Sequence, residues 1–319
     1  LNTMLSVGGQ NINFGLGGNL ALEIKTIPIL LRSEIGYQVH ETTRVNVGLD
    51  FLGGPFDVFV RAPPPTRPGE ASPGPFATRP PLETQASGYS FRPGWYMDVE
   101  WQPTKRLRVV PGVRLDHALD TKNPDVSPRL NARYSLVLPE DEFWGGKPLK
   151  TVLKGGIGKF SEPPQFQETD PVFGSPGLQS NQSMHYSVGV EQGLTEQVDL
   201  SLEGFYKDLY GFVSRAPDAL GNYAYGNQGG GRVVGLEALL KYRADDRFFG
   251  WVAYTLSESL RKDCATCQEY LFQYDQTHNL IILGSSRLGG GWEVGSRFRI
   301  VSGPLVTPKL GAPALPSLC

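Results

Sequence analysis

The sequence predicts an all-β fold, an antiparallel up-and-down transmembrane β-barrel of about 12 to 14 strands, and three observations carry it. Apolar and polar side chains alternate with period two over most of the chain. The alternating segments run about 9 to 13 residues, longer than the ~5–6 of soluble strands and matched to a tilted bilayer crossing. Tight and long links then take turns between the segments. A soluble sandwich hides its apolar rows against each other and has no reason to sort its connections, whereas an outer-membrane barrel has turns at one rim and long loops at the other.

Taken in order, residues 1–31 alternate poorly, and one or two further strands are expected there. Strands follow near 32–40 and 43–51, joined by Glu41–Thr42, and then a long link at 52–87. In the strand at 88–101, Tyr89, Phe91, Trp95, Met97, Val99 and Trp101 oppose Ser90, Arg92, Asp98 and Glu100. After the tight link 102–104, the strand at 105–117 sets Leu107, Val109, Val113 and Leu115 against Arg108, Arg114 and Asp116. The strand at 127–138 sets Leu130, Ala132, Tyr134 and Leu136 against Arg129, Asn131, Arg133 and Ser135. Strands near 148–160, 183–192, 196–209, 231–243, 247–258, 277–287 and 291–301 continue the series. Their tight links are 193–195, 244–246 and 288–290, their long ones 161–182, 210–230 and 259–276, with an intermediate one at 118–126 and one at 139–147 that is longer than its place on the short side suggests. Residues 1–303 are thus expected to form the barrel portion and 304–319 an irregular tail, with a non-native reading frame as one account of it.

Aromatics near strand ends (Trp101, Phe160, Tyr210, Phe212, Phe248, Phe249 and Trp292) are candidates for the girdles that sit at headgroup level. The charges on the other face, among them Arg92, Glu100, Arg106, Arg108, Arg114, Asp116, Arg129, Arg133, Glu191, Glu203, Glu237, Arg297 and Arg299, are of mixed sign. They require a lumen filled by water or by a polar partner, since unpaired charges are costly away from both.

Composition excludes several classes. Thirty Lys+Arg against 32 Asp+Glu gives a net charge of −2, so no nucleic-acid partner is expected. No apolar run approaches the ~18–20 residues of a spanning helix. His40, His117, His185 and His278 are scattered without metal-ligand spacing, so no metal site is expected. There is no Gly-x-Ser-x-Gly, and Gly229–Gly231 lacks the Lys-Ser/Thr of a phosphate loop and leads into a strand. His185 and Ser187 share a face with Gly189 and Glu191, as a wet wall would also have it. No catalytic residue and no cofactor is expected. Cys264 and Cys267 in the 259–276 link leave three readings open: a small loop-closing disulfide, two thiols, or redox or metal work.

From residue 158 onward the chain resembles the TonB-dependent outer-membrane receptors. The resemblance rests on Gly158-Lys-Phe-Ser-Glu-Pro-Pro164, Gly174-Ser-Pro-Gly-Leu178, Tyr186-Ser-Val-Gly-Val-Glu191, and Gly204-Phe-Tyr-Lys-Asp-Leu209. It continues in Tyr225-Gly-Asn-Gln-Gly-Gly-Gly-Arg-Val-Val-Gly-Leu-Glu237, Asp275-Gln-Thr-His278 and Ser302-Gly-Pro with Thr307-Pro308. Family barrels have about 22 strands and a plug, so the resemblance implies that this chain is an incomplete piece of a larger barrel, without plug or C-terminal strands. It implies energy-coupled uptake of a scarce solute such as a ferric siderophore, cobalamin or glycan. Outer-membrane lipid, the small-molecule ligand and TonB–ExbB–ExbD (through the missing N-terminal region) would be its partners. Candidate ligand contacts are polar and aromatic residues of the long links: Gln165, Gln167, Asp170, Tyr223, Tyr225, Asn227, Tyr270 and Tyr274. Two rival readings are a passive outer-membrane channel of about 14 strands, for example for fatty acids, and a structural or adhesive surface protein.

Overall fold

The structure, a computed structural model, describes residues 1–63, 80–119, 121, 123–138, 141, 149–169, 174–217 and 223–303. The tail at 304–319 lies outside the described residues. Sixteen strands form one antiparallel sheet. They are β1 (Asn2–Val7), β2 (Gln10–Leu16), β3 (Leu20–Thr26), β4 (Ile29–His40), β5 (Thr43–Ala62), β6 (Leu82–Trp101), β7 (Leu107–Asp116) and β8 (Asp125–Val137). The rest are β9 (Thr151–Glu162), β10 (Asn181–Gly193), β11 (Val198–Pro217), β12 (Tyr223–Tyr242), β13 (Phe248–Lys262), β14 (Tyr270–Leu271), β15 (His278–Gly289) and β16 (Trp292–Val301). From β4 to β16 each long strand pairs with its successor, while β14 is a two-residue flap on β13. The sheet does not close: β1 and β16 end the path without pairing each other.

Residues 1–31 hold three short strands rather than one or two. They make one interrupted hairpin, β1 pairing with β4 and β2 with β3. The interruption runs across three ribbons. Ile29↔Gly53 and Thr26↔Phe56 keep one register through it, and bonds from Gly8 N to Pro28 O (3.0 Å) and from Ile27 N to Pro55 O (3.1 Å) bracket the gap. Pro28 has no N–H to give the ladder. Gly54 sits at φ 137°, where a side chain would run into the Ile27 carbonyl.

Two of the expected long links are in large part strand. β5 and β6 each run 20 residues, so the 52–87 link shrinks to 63–81, and β11 and β12 do the same to 210–230. The reason is visible in Phe56-Asp-Val-Phe-Val60, which alternates beyond the Gly53-Gly54-Pro55 punctuation. A break in hydrogen bonding ends neither strand, because each has a neighbour on the other side.

The faces separate as alternation demands. Leu49, Leu115, Leu130, Leu153, Val188, Leu202, Leu236, Ile282 and Phe298 all point away from the charged face and all are exposed, Val188 at 70%. Few apolar side chains are buried: Val58, Ala118, Val152, Leu178 and Leu209 among the described residues. A soluble chain of this length would bury its apolar rows, so these rows demand an apolar solvent. On β12 the outward series Val234, Leu236, Ala238, Leu240 runs between Arg232 and Tyr242, roughly 25 Å of height at barrel tilt. At the tight-turn rim Tyr242 meets Phe248 with ring centroids 5.3 Å apart, and Trp101 and Trp292 are exposed there too. Of the expected girdle, Trp101, Tyr210, Phe248 and Trp292 face outward, but Phe160, Phe212 and Phe249 carry the parity of the inner face. On β12, β13 and β15 the inner row also holds apolar groups, Leu239, Ala253 and Ile281, in one register line.

Candidate functional site: the inner wall and its mouth

The inner wall is a set of ion-paired ladders. On β4, β5 and β7 the Asp50 carboxylate is shared by two guanidinium groups, Arg32 (2.7 and 3.0 Å) and Arg114 (2.5 Å), and Arg114 also chelates Asp116. Beside them the Tyr96 hydroxyl donates to Glu34 at 2.6 Å, and the Asn46 amide donates to Asp98 (2.9 Å) and Glu100 (3.2 Å). A second group joins Arg133 to Glu191 through two bonds and Lys154 to Glu203. These charges lie in a polar, half-exposed wall, so pairing fixes their orientation more than it stabilises the sheet.

Hollows open on this wall, and two of them gather its charges. One, about 320 Å³, lies across β8–β12 and is lined by Arg129, Asn131, His185, Ser187, Lys207 and Glu237, with the Phe160 and His185 rings 4.3 Å apart. The other, about 540 Å³, brings Met4, Leu30 and Leu52 up to Arg32, Asp50, Arg114 and Asp116. Among the described residues no group of three His, Cys, Asp or Glu converges on a metal-sized point. His185 and Ser187 share the first hollow, and their side chains make no hydrogen bond to each other.

At the mouth, Gln165 caps the one-turn helix α1 (Phe166–Thr169). Its N–H donates to Glu168 Oε2 (2.8 Å), and the Glu168 N–H returns to its carbonyl (3.0 Å). Asp170 and the side chains of Gln167 and Tyr223 lie outside the described residues. Tyr223, Tyr225 and Asn227 stand on β12 rather than in a loop. Asn227 is occupied structurally: its amide bonds the Gln179 carbonyl (2.7 Å) and N–H (2.8 Å) and the Gly211 carbonyl (2.9 Å), pinning the 174–180 segment to β11. Tyr270 donates to Asp263 at 2.8 Å; burial, then that carboxylate, pushes its hydroxyl pKa up. Tyr274 is exposed with its ring edge-on to Phe272. Cys264 and Cys267 are joined by a disulfide with Cα atoms 5.0 Å apart. Arg261 lies over the rings of Phe272 (4.5 Å) and Phe212 (5.6 Å), a cation–π stack.

The sequence pattern did not single out Arg32, Glu34, Asn46, Asp50 and Lys154. Their signal was parity: Arg32 and Glu34 alternate with Leu31 and Ile35 as Arg108 does with Leu107 and Val109.

Strands that face apolar rows outward over a bilayer's height and paired charges inward define the wall of a membrane-spanning β-barrel. The chain belongs to the TonB-dependent receptor-like β-barrel family, whose sequence profile matches residues 7–311. None of the curated proteins matches it by sequence. Among solved structures it is similar to the siderophore receptor PirA from Acinetobacter baumannii (14% identity, TM-score 0.60, covering 88% of this chain and 42% of that one). It is likewise similar to the FpvAI–pyocin S2 complex (14%, 0.60, 92% and 43%) and the FrpB iron transporter from Neisseria meningitidis (10%, 0.59, 88% and 43%). The chain therefore spans less than half the length of these structures.

Proposed function

We propose that this chain is part of the wall and mouth of an outer-membrane receptor that takes up a scarce solute, driven through TonB–ExbB–ExbD. The carrying observation is the two-faced sheet: exposed apolar rows outside and a ladder of paired charges inside, in a chain of this receptor family. The inner ladders pair Arg32, Arg114 and Arg133 with carboxylates, and Arg129, Lys207 and Glu237 face the first hollow, which suits a lumen filled by water or a polar partner. Gln165, Gln167, Asp170, Tyr223, Tyr225, Tyr270 and Tyr274 remain the proposed ligand contacts at the mouth; Asn227 acts as a pin.

Similar structures include a siderophore receptor and an iron transporter, so ferric chelates head the panel to be tested, followed by cobalamin and glycans. The test is uptake of each labelled solute by cells with and without the full-length gene, with and without a protonophore. Receptor-dependent uptake that the protonophore abolishes is expected. Receptor-dependent uptake indifferent to the protonophore would instead establish the passive channel.

A further inference from the structure

Arg129 and Lys207 stand outside the paired ladders. They close the two ends of one register line, Arg129↔Gly158↔His185↔Lys207, which crosses β8 to β11 at the first hollow. Among the described residues neither meets a carboxylate. Their neighbours do: Arg114 holds Asp50 and Asp116, Arg133 holds Glu191, and Lys154 holds Glu203. Asp98, which shares a further hollow with Arg129, accepts from the Asn46 amide instead. Lys207 lies over the Phe205 ring, 5.3 Å from its centroid, a contact that brings no counter-charge. Glu237 faces the same hollow without a cation of its own, so one positive charge is left in excess.

The counter-charge cannot come from the wall. β8 to β12 are each paired on both sides by strands of this chain, so every wall neighbour of the two cations is already in place. Arg297 and Arg299 also meet no carboxylate among the described residues, but they stand on the edge strand β16, where a further strand could bring one. The opposite wall of a barrel wide enough to hold a lumen lies beyond side-chain reach. The hollow is shaped to receive a group from that lumen. Gly158 and Gly156 keep its floor low, and the two cations flank it three strand spacings apart, about 14 Å at the backbone. Asn131 and Ser187 line the row below, and among the described residues their side chains make no hydrogen bond. We propose that this hollow is a binding site for an oxyanion, a carboxylate or a phosphate, presented in the lumen by a solute or by another part of the protein. Arg129 meets it with a planar fork of donors and Lys207 with a point charge. The inference rests on the reading of this face as the lumen.

Ser187→Cys reads the charge in the hollow. It is made in the full-length protein in native outer membranes with Cys319→Ser, Cys264 and Cys267 being bonded to each other. Its modification is timed with an anionic reagent, 2-sulfonatoethyl methanethiosulfonate, and with the cationic trimethylammonioethyl analogue. If a solute brings the oxyanion, the hollow is open, the anionic reagent reacts roughly fivefold faster at low salt, and pyrophosphate slows it. Arg129→Gln with Lys207→Gln then abolishes the preference, Arg129→Lys keeps it, and Glu237→Gln raises it. If a carboxylate of the protein fills the hollow, both reagents are slow without added anion, and Arg129→Gln with Lys207→Gln speeds both. Heat-modifiable mobility shows that each variant is folded. Four results overturn the inference: labelling indifferent to reagent charge and to the Arg129 and Lys207 substitutions, faster labelling by the cationic reagent, an anionic preference that pyrophosphate leaves untouched, or a cysteine unlabelled in every variant. Val188→Cys, one residue on, faces lipid and stays unlabelled; if it labels in place of Ser187→Cys, the reading of the faces falls and the site with it. Labelling needs no energy, so the response of uptake to a protonophore decides only the energy-coupled reading.

Discussion

Large inner side chains lie flat because glycine stands opposite them. Gly48 faces Tyr96, Gly156 faces Asn131, Gly189 faces Lys154 and Gly235 faces Phe205, each pair in direct register. A Cβ at Gly156 would stand 2.6 Å from Asn131 Oδ1, and one at Gly48 or Gly235 would run into the facing ring. The side chain leans across its neighbour instead of projecting into the lumen, and leaning brings the Tyr96 hydroxyl onto Glu34. Gly48→Ala is therefore expected to destabilise the full-length protein by about 1–3 kcal/mol, the cost of overpacking. Tyr96→Ala in that background should recover most of the loss; denaturant unfolding of the four proteins of the cycle checks it, and a neutral Gly48→Ala refutes the packing. None of this was legible residue by residue. Gly48 and Tyr96 lie far apart in the chain, as do Asn227 and the Gln179 backbone it pins, and only register brings them together.

At the scale of the strand, alternation carried nearly everything. On β12, Leu236 faces outward in mid-band and Glu237 inward, one residue apart. Leu236→Arg is expected to cost about 2–4 kcal/mol of stability in lipid, since it puts a guanidinium at the bilayer midplane. Glu237→Arg should cost far less. Folding into liposomes, followed by heat-modifiable mobility, measures both, and equal costs would place the wrong face in lipid. Strand ends were less legible than strand faces. Gly53-Gly54-Pro55 and Gly229–Gly231 read as loop punctuation, yet β5 and β12 run through them, because neighbours on either side keep the ladder in register. The tight rim shows the converse. Asp245 caps its turn by accepting from the Arg247 and Phe248 N–H groups (2.8 and 2.6 Å), as Asp in that place suggests.

Among the described residues the sheet has two open edges, one made by β1 and β2 and the other by β16, and β16 is exposed along both faces. Unpaired edges of this length template association with other chains. Expressed by itself, this 319-residue chain is expected to aggregate rather than insert. Recovering it from outer membranes as a heat-modifiable, trypsin-resistant species would show that it closes by some route not seen in this sheet. The projecting upper halves of β2, β3, β5 and β6 add a second level of organisation, a wall above the bilayer.

Composition and alternation by themselves determined the fold class, the two faces, and which rim carries tight turns, because a strand's side-chain period is set by its own backbone. The motifs after residue 158 brought the family within reach for a similar reason: each is a short local pattern. Register was decided only in the tertiary structure, and with it Arg32 meeting Asp50 and Arg114, Asn227 holding Gln179, and the Arg129–Gly158–His185–Lys207 line across the first hollow. Those contacts join residues on different strands, and a period of two says which way a side chain points but not what stands beside it.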